Sequence, residues 1–156
     1  MFSHTRKGSN ISEADDTIHP STTSRDLGPN PSIINIDDLT LQNETFRTAI
    51  WTGSNLQITL MSINIDEDVG LENHTDTDQF IFVKEGVAVV RVGLQSREIL
   101  PFKHIVRSGN AIVIPSGTWH NIINIGPSPL KLYSIYGPPN HPAGTIHISR
   151  IDDEEE

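Results

Sequence analysis

Short runs of apolar and β-branched residues alternate with turn residues along most of the chain. From residue 33 onward such runs recur at 46–51, 56–65, 79–83, 87–92, 111–115, 120–125, 130–136 and 145–149. Glycine, proline, serine and asparagine separate them, for example at 108–110 and 115–117. Regularly spaced short strands with turn signals between them predict an all-β sandwich or barrel of antiparallel strands. Only residues 36–46 are compatible with a helical turn.

The two ends of the chain lack this pattern. Residues 1–31 are polar, are rich in Ser, Thr, Asp, Gly and Pro, and offer too little apolar area to offset the entropy lost on ordering. Residues 151–156, with the sequence IDDEEE, form an acidic run. We therefore expect a flexible N-terminal extension at 1–31, a β-barrel domain at 32–150 and a disordered acidic tail at 151–156.

Composition narrows the possible chemistry and the possible partners. The chain has 156 residues, a formal net charge of −9 and no cysteine, so any metal must be held by nitrogen and oxygen ligands. No basic stripe with interleaved aromatic residues suggests nucleic acid. No apolar run approaches the ~18 residues of a membrane span, and no secretory signal is apparent. The expectation is a cytoplasmic protein that binds neither nucleic acid nor membrane.

Two strings of residues have the spacing of a binding site. The first reads E-x-H-x4-Q-x6-G and runs from Glu72 through His74 and Gln79 to Gly86. The second reads G-x5-P-x-G-x2-H-x3-N, from residue 109 to 124, and contains His120. A calcium EF-hand loop beginning at residue 76 is excluded, because its fifth, sixth and twelfth positions are Phe, Ile and Val.

These strings resemble the two motifs of the cupin family. The second matches the second cupin motif at every defined position. The first resembles the first motif, G-x5-H-x-H-x3/4-E-x6-G, with Glu72 at the first histidine, His74 at the second and Gln79 at the glutamate. The leading glycine is missing, since position 66 is Asp. The resemblance runs from about residue 32 to 148 and extends to a single-domain bacterial subfamily often labelled mannose-6-phosphate-isomerase-like. It implies a double-stranded β-helix, the RmlC-like jelly-roll barrel.

Strand geometry explains why this spacing suits a metal. Residues two apart on a strand face the same side, so Glu72 and His74 can both point into the barrel. Gln79 lies on the next predicted strand and can face inward again, and His120 lies at the start of a later strand. We expect these four residues to bind one divalent transition metal per chain, Fe, Mn, Ni, Zn or Cu. Glu72 is also the candidate catalytic residue, either as a direct ligand or as a base that only orients a neighbour.

Three further residues are candidates for substrate binding. Arg47 can bind a substrate carboxylate through two parallel hydrogen bonds. A salt bridge at the rim of the barrel is an equally favoured alternative. Tyr133 and Tyr136 lie three apart on a strand, so at most one faces inward, and Tyr133 is the candidate. His141 can cover the mouth of the barrel, although a structural role is the alternative. His104 is expected to be solvated in a polar loop.

The resemblance leaves the reaction open, because cupin barrels host many activities. The first hypothesis is a metal-dependent isomerase or tautomerase that acts on a small oxygen-rich substrate such as a sugar or sugar acid. An Fe(II)-dependent dioxygenase and a non-catalytic small-ligand-binding barrel are the alternatives. A phosphorylated sugar has little support, since few Lys or Arg residues are candidates for the mouth. We also expect a homodimer formed through open sheet edges.

Overall fold

A computed structural model of the protein describes residues 25–93 and 101–154. This part of the chain contains nine β-strands and two short helices. In chain order they are α1 (Ile36–Gln42), β1 (Arg47–Thr52), β2 (Gln57–Ile63), β3 (Asp78–Glu85), β4 (Val87–Gly93), β5 (Phe102–Arg107), β6 (Ala111–Ile114), β7 (Trp119–Asn124), β8 (Leu130–Gly137), β9 (Ile146–His147) and α2 (Arg150–Glu154).

The strands form two antiparallel sheets. One has six strands in the order β6-β3-β8-β2-β1-β9, and the other has three in the order β5-β4-β7. Buried side chains from both sheets belong to one apolar core, so the sheets enclose it between them. The prediction of an all-β fold is confirmed, and the helical turn expected within residues 36–46 is α1.

One strand was not predicted. β5 is an edge strand with a single buried residue, Val106, and its other side chains are exposed. His104, expected in a polar loop, is an exposed residue of this strand. The weak alternation of apolar and polar residues in an edge strand of this kind explains why the sequence pattern does not reveal it.

The inward faces of the strands change from apolar to polar along their length. One end of the interior is filled by aliphatic and methionine side chains. They are Met61, Ile63, Ile81, Val83, Ile122, Leu130 and Leu132. The other end holds buried polar and aromatic side chains. They are Gln57, Thr59, Gln79, His120, Ser134 and Tyr136. The register aligns these ends, since Tyr136 lies opposite both Gln57 and Gln79. The barrel therefore has one apolar end and one polar end.

Helix α1 begins at a well-formed cap. The side chain of Asn35 accepts a hydrogen bond from the amide of Asp38, and two aspartates in the first turn suit the positive end of the helix dipole. The helix packs on β8, β3 and β2, and Asp37 pairs with Lys84 at 3.0 Å. Within the described ranges no helix is both long and apolar enough to cross a membrane.

The predicted boundaries of the barrel need correction at both ends. Residues 25–31, assigned to the flexible extension, lie against the barrel: the amide of Leu27 donates to the carbonyl of Ile50 at 2.9 Å, and Asp26 accepts from Thr52 at 2.6 Å. Residues 150–154 form α2 instead of a disordered tail. Residues 1–24, 155 and 156 lie outside the described part. The predicted dimerisation through sheet edges stays a prediction.

Candidate metal centre

The site begins where the connection between β2 and β3 runs beside β7. Glu72 and His120 form an isolated antiparallel bridge, in which each amide donates to the other residue's carbonyl at 2.9 Å. Asp68 forms a second bridge with Ile123. The connection thus acts as an additional irregular strand, and its pairing with β7 places the side chains of Glu72 and His120 next to each other.

His74 joins them because it lies two residues after Glu72 and therefore faces the same side. Its carbonyl accepts a hydrogen bond from the amide of Gly117 at 2.7 Å, which ties the segment to the turn before β7. Gly117 has a φ of 78°, a conformation that glycine adopts without strain. The turn glycine of the second motif thus helps to position a histidine of the first.

Glu72, His74 and His120 form a compact donor set that we call the metal triad. Oε2 of Glu72 lies 3.4 Å from Nε2 of His74 and 3.5 Å from Nε2 of His120. The ligand atoms of the three residues all lie within 4.8 Å of one another. A metal ion about 2.1 Å from each donor atom needs donors roughly 3 to 3.5 Å apart. The two distances from Glu72 therefore already match the donor separation that a shared metal ion requires.

The hydrogen bonds of His120 leave its ligand atom available. Nδ1 lies 2.9 Å from the carbonyl of Thr118, and a carbonyl can only accept, so Nδ1 carries the proton. Nε2 then presents its lone pair to the interior, and this is the arrangement that metal-bound histidines adopt. In the described structure neither Nε2 atom, of His74 or of His120, makes a hydrogen bond, although both are buried. A bound metal would satisfy both atoms.

Glu72 is held in its ionised form. Burial would raise the pKa of its carboxyl, but the imidazoles of His120 and His74, when they carry a proton on Nε2 in the metal-free protein, outweigh this effect and bring the pKa well below its ordinary value. Arg47 contributes further, since its Nη2 lies 3.3 Å from Oε1 of Glu72. The two carboxylate oxygens thus have different partners: Oε2 faces the imidazoles and Oε1 faces the guanidinium.

Arg47, predicted to face the cavity, is completely buried beside the triad. Its Nη1 donates to Asp153 of α2, which also lies 3.1 Å from Nδ1 of His147. The guanidinium therefore bridges Glu72 to a carboxylate from the far end of the chain. Its pairing with a substrate carboxylate stays a prediction.

Gln79 faces the polar end of the barrel, as expected, but its observed partners lie on β8. Its Nε2 donates to Ser134 at 3.2 Å and to the hydroxyl of Tyr136 at 3.1 Å. The carbonyl oxygen Oε1 is buried and, among the described residues, has no hydrogen-bond partner. That oxygen is the atom a metal would take, so a ligand role for Gln79 stays a prediction.

The prediction that Tyr133 lines the substrate site is wrong. Tyr133 lies on the outward face of β8, where its ring stacks on Phe82 with centroids 5.3 Å apart. Tyr136, three residues further along β8, faces the opposite side of the sheet. It is fully buried and packs edge-on against His74 with ring centroids 5.6 Å apart. Burial raises the pKa of Tyr136 to about 12, so its hydroxyl stays protonated at neutral pH.

His141 lies near the site on the connection between β8 and β9. Its ring packs edge-on against Tyr136 at 5.4 Å, and its backbone is held by the buried side chain of Gln57, which bonds both its amide and its carbonyl. The ring of His147 lies 6.1 Å beyond. His141 is therefore placed at the edge of the polar end, and its contact with substrate stays a prediction.

Sequence reasoning missed three residues of this cluster. Tyr136 could have been found from its pairing with Gln79, had the register of β3 and β8 been known. His147 is not among the predicted site residues, and Asp153 falls in the predicted disordered tail. No local pattern connects Asp153 to Arg47, since 106 residues separate them.

Comparison with known proteins gives consistent results. Residues 59–136 match the family model Cupin_2, described as a cupin domain. Over 128 residues the chain is 53% identical to the uncharacterized protein YrkC of Bacillus subtilis (strain 168), with 82% of this chain and 68% of YrkC covered. It is also 40% identical over 119 residues to the uncharacterized protein L612 of Acanthamoeba polyphaga mimivirus, with 76% and 72% covered.

Solved structures resemble the fold as well. The crystal structure of BH2720 from Bacillus halodurans matches with a TM-score of 0.83 and 49% identity, and the match covers 85% of this chain and 99% of that one. KdgF from Halomonas sp. matches with a TM-score of 0.52 and 19% identity over 60% of this chain and 78% of that one. The second likeness shows the fold alone.

The inward position of Tyr136 can be tested by titration. The chain has two tyrosines, so Tyr133→Phe leaves Tyr136 as the only one. In the folded variant we expect tyrosinate absorbance to appear with a midpoint of about 12, because burial opposes the charged form. The same variant in denaturant should titrate near the ordinary value of about 10. A midpoint near 10 in the folded protein would contradict the buried placement.

Proposed function

This chain belongs to the cupin domain family, and from that premise we propose that it is a metal-dependent enzyme acting on a small oxygen-rich carboxylic acid. One divalent transition metal, Fe, Mn, Ni, Zn or Cu, would be held by Glu72, His74 and His120, with Gln79 as a further candidate ligand. The observation that carries the proposal is the metal triad, in which two buried imidazole nitrogens without hydrogen bonds lie 3.4 and 3.5 Å from one carboxylate oxygen.

The donor set favours this class of metal. Two imidazoles and one carboxylate suit borderline transition ions better than calcium or magnesium, which prefer oxygen ligands alone. Leaving the two imidazole nitrogens buried without partners costs about 1 to 3 kcal/mol for each. When bound, the metal supplies Lewis-acid polarisation of a substrate carbonyl or hydroxyl.

The surrounding side chains suit a ligand role for Glu72 better than the role of general base. Its pKa is held well below the ordinary value, so at neutral pH the carboxylate is a poor proton acceptor. Arg47 orients it by binding Oε1, leaving Oε2 for the metal side. The neutral hydroxyl of Tyr136, which lies beside His74, can donate a hydrogen bond to a substrate oxygen.

Charge supports a small acid over a phosphorylated sugar. Lys84 pairs with Asp37 of α1, and Lys131 donates to the carbonyl of Asn43, so both are engaged with the outer layer around α1. Within residues 25–93 and 101–154, Arg47 is the Lys or Arg residue that pairs with Glu72. One guanidinium suits one carboxylate, and a hydroxyl or keto oxygen on the adjacent carbon could then reach the metal. We propose isomerisation or tautomerisation of such an acid.

Metal content is the first test of this function. Protein purified without chelators should contain about one Fe, Mn, Ni, Zn or Cu ion per chain, measured by elemental analysis. His120→Ala removes a ligand and should retain less than about a tenth of that metal. His104→Ala, which removes an exposed histidine on β5, is the matched control and should retain all of it.

Two other outcomes of the same analysis are informative. Full metal retention in Gln79→Ala would place Gln79 outside the ligand set while leaving the triad intact. A wild-type protein that takes up no transition metal, even after reconstitution, would contradict the metal site and leave a small-ligand-binding barrel as the better description.

Proton transfer is the second test. A panel of 2-hydroxy, 2-keto and sugar acids would be incubated with metal-loaded protein in D₂O and monitored by proton NMR. For one member of the panel, we expect the protein to exchange the hydrogen on the carbon next to the carbonyl or hydroxyl group for deuterium. Removing the metal should slow this exchange at least about 100-fold. Oxygen uptake by the Fe(II) form without exchange would indicate a dioxygenase instead. The absence of both reactions would contradict an enzymatic function.

A further inference from the structure

A second polar cluster adjoins the metal triad on its β1 side. Arg47 of β1 and His147 of β9 are direct partners in the antiparallel pairing of these strands, and both are buried. The backbone pairing therefore sets a guanidinium and an imidazole side by side. Arg47 Nη2 faces Glu72 of the triad, so the cluster and the triad share a boundary.

The chain places a carboxylate of its own on these two groups. Oδ1 of Asp153 accepts from Nη1 of Arg47 and lies 3.1 Å from Nδ1 of His147. A single oxygen thus contacts a guanidinium nitrogen and an imidazole nitrogen from two paired strands, surroundings that suit a carboxylate. Asp153 and Glu72 bind different nitrogens of the guanidinium.

The helix that carries Asp153 is weakly anchored. α2 has five residues and none of them is buried, and Ile151 is 66% exposed. The other contacts of α2 include a local cap, in which the amide of Ser149 donates to Asp152, and ion pairs of the partly exposed Arg150 with Asp68 and Glu154. A helix this short has little stability of its own, and partly exposed ion pairs add little. Segments of this kind open readily.

We propose that Arg47 and His147 form a carboxylate subsite and that Asp153 is its built-in occupant, which the carboxylate of a small hydroxy or keto acid displaces. Both side chains are positioned by the pairing of β1 with β9, whereas Asp153 lies on a weakly held helix. Exchanging one carboxylate for another keeps the charge around the buried guanidinium unchanged. The inference rests on the proposed function for the class of ligand, because Arg47 also binds Glu72 of the triad.

Competition with an internal carboxylate gives a measurable signature. An occupant on the same chain acts at an effective concentration of millimolar or higher, so its removal should tighten binding of an external carboxylate about tenfold or more. We would titrate glycolate into chelator-treated, metal-free protein by calorimetry. Asp153→Ala should bind glycolate about tenfold or more tightly than the wild type. Glu154→Ala, which loses the same charge one residue away, should bind as the wild type does.

A neutral analogue and an exchange measurement complete the test. Glycolamide should bind neither the wild type nor Asp153→Ala, because it lacks the negative charge that pairs with Arg47. In the wild type, saturating glycolate should speed hydrogen exchange of the α2 amides as the helix is displaced, and this measurement holds even where Asp153→Ala does not fold.

Several outcomes would overturn the subsite. They are equal affinity in Asp153→Ala and the wild type, an equal gain in Glu154→Ala, no glycolate binding by folded Asp153→Ala, or unchanged α2 exchange at saturating glycolate. Failure of the proposed function is a separate result, because it appears as absent metal uptake, whereas every measurement of the subsite uses metal-free protein.

Discussion

The antiparallel register of β2, β3 and β8 decides where the barrel interior is polar. Tyr136 lies opposite Gln79 on one side and Gln57 on the other, so the polar stretches of all three inward faces meet at the same end. A slip of one residue would turn each of these side chains to the outer surface and expose the aliphatic core. The apolar end of the barrel, by holding this register, therefore also holds the site.

Within the polar end, Arg47 links two functions. Its guanidinium helps the imidazoles of His120 and His74 to lower the pKa of Glu72 and binds one of its carboxylate oxygens, while its other nitrogen binds Asp153. A buried guanidinium with one carboxylate removed would be left incompletely paired, which is strongly unfavourable. The metal triad and the carboxylate subsite therefore depend on the same residue, and a ligand in the subsite would share Arg47 with Glu72.

Much of the fold and the centre of the site could be predicted from local patterns. Alternation and turn residues indicated eight of the strands, and the motif spacing brought together Glu72, His74 and His120, which lie as expected. The choice between Tyr133 and Tyr136 depended on the register of β8 with β3, which no local pattern contains. Asp153 was missed because an acidic run is usually solvated, and its contact with Arg47, 106 positions away in the sequence, leaves no local pattern.

Anomalous diffraction from crystals of metal-reconstituted protein would show whether the triad binds a transition metal. We expect one strong peak per chain, about 2.0 to 2.3 Å from Nε2 of His74, Nε2 of His120 and an oxygen of Glu72. A map of metal-loaded crystals without a peak between these three residues, or with its peak bound elsewhere, would contradict it.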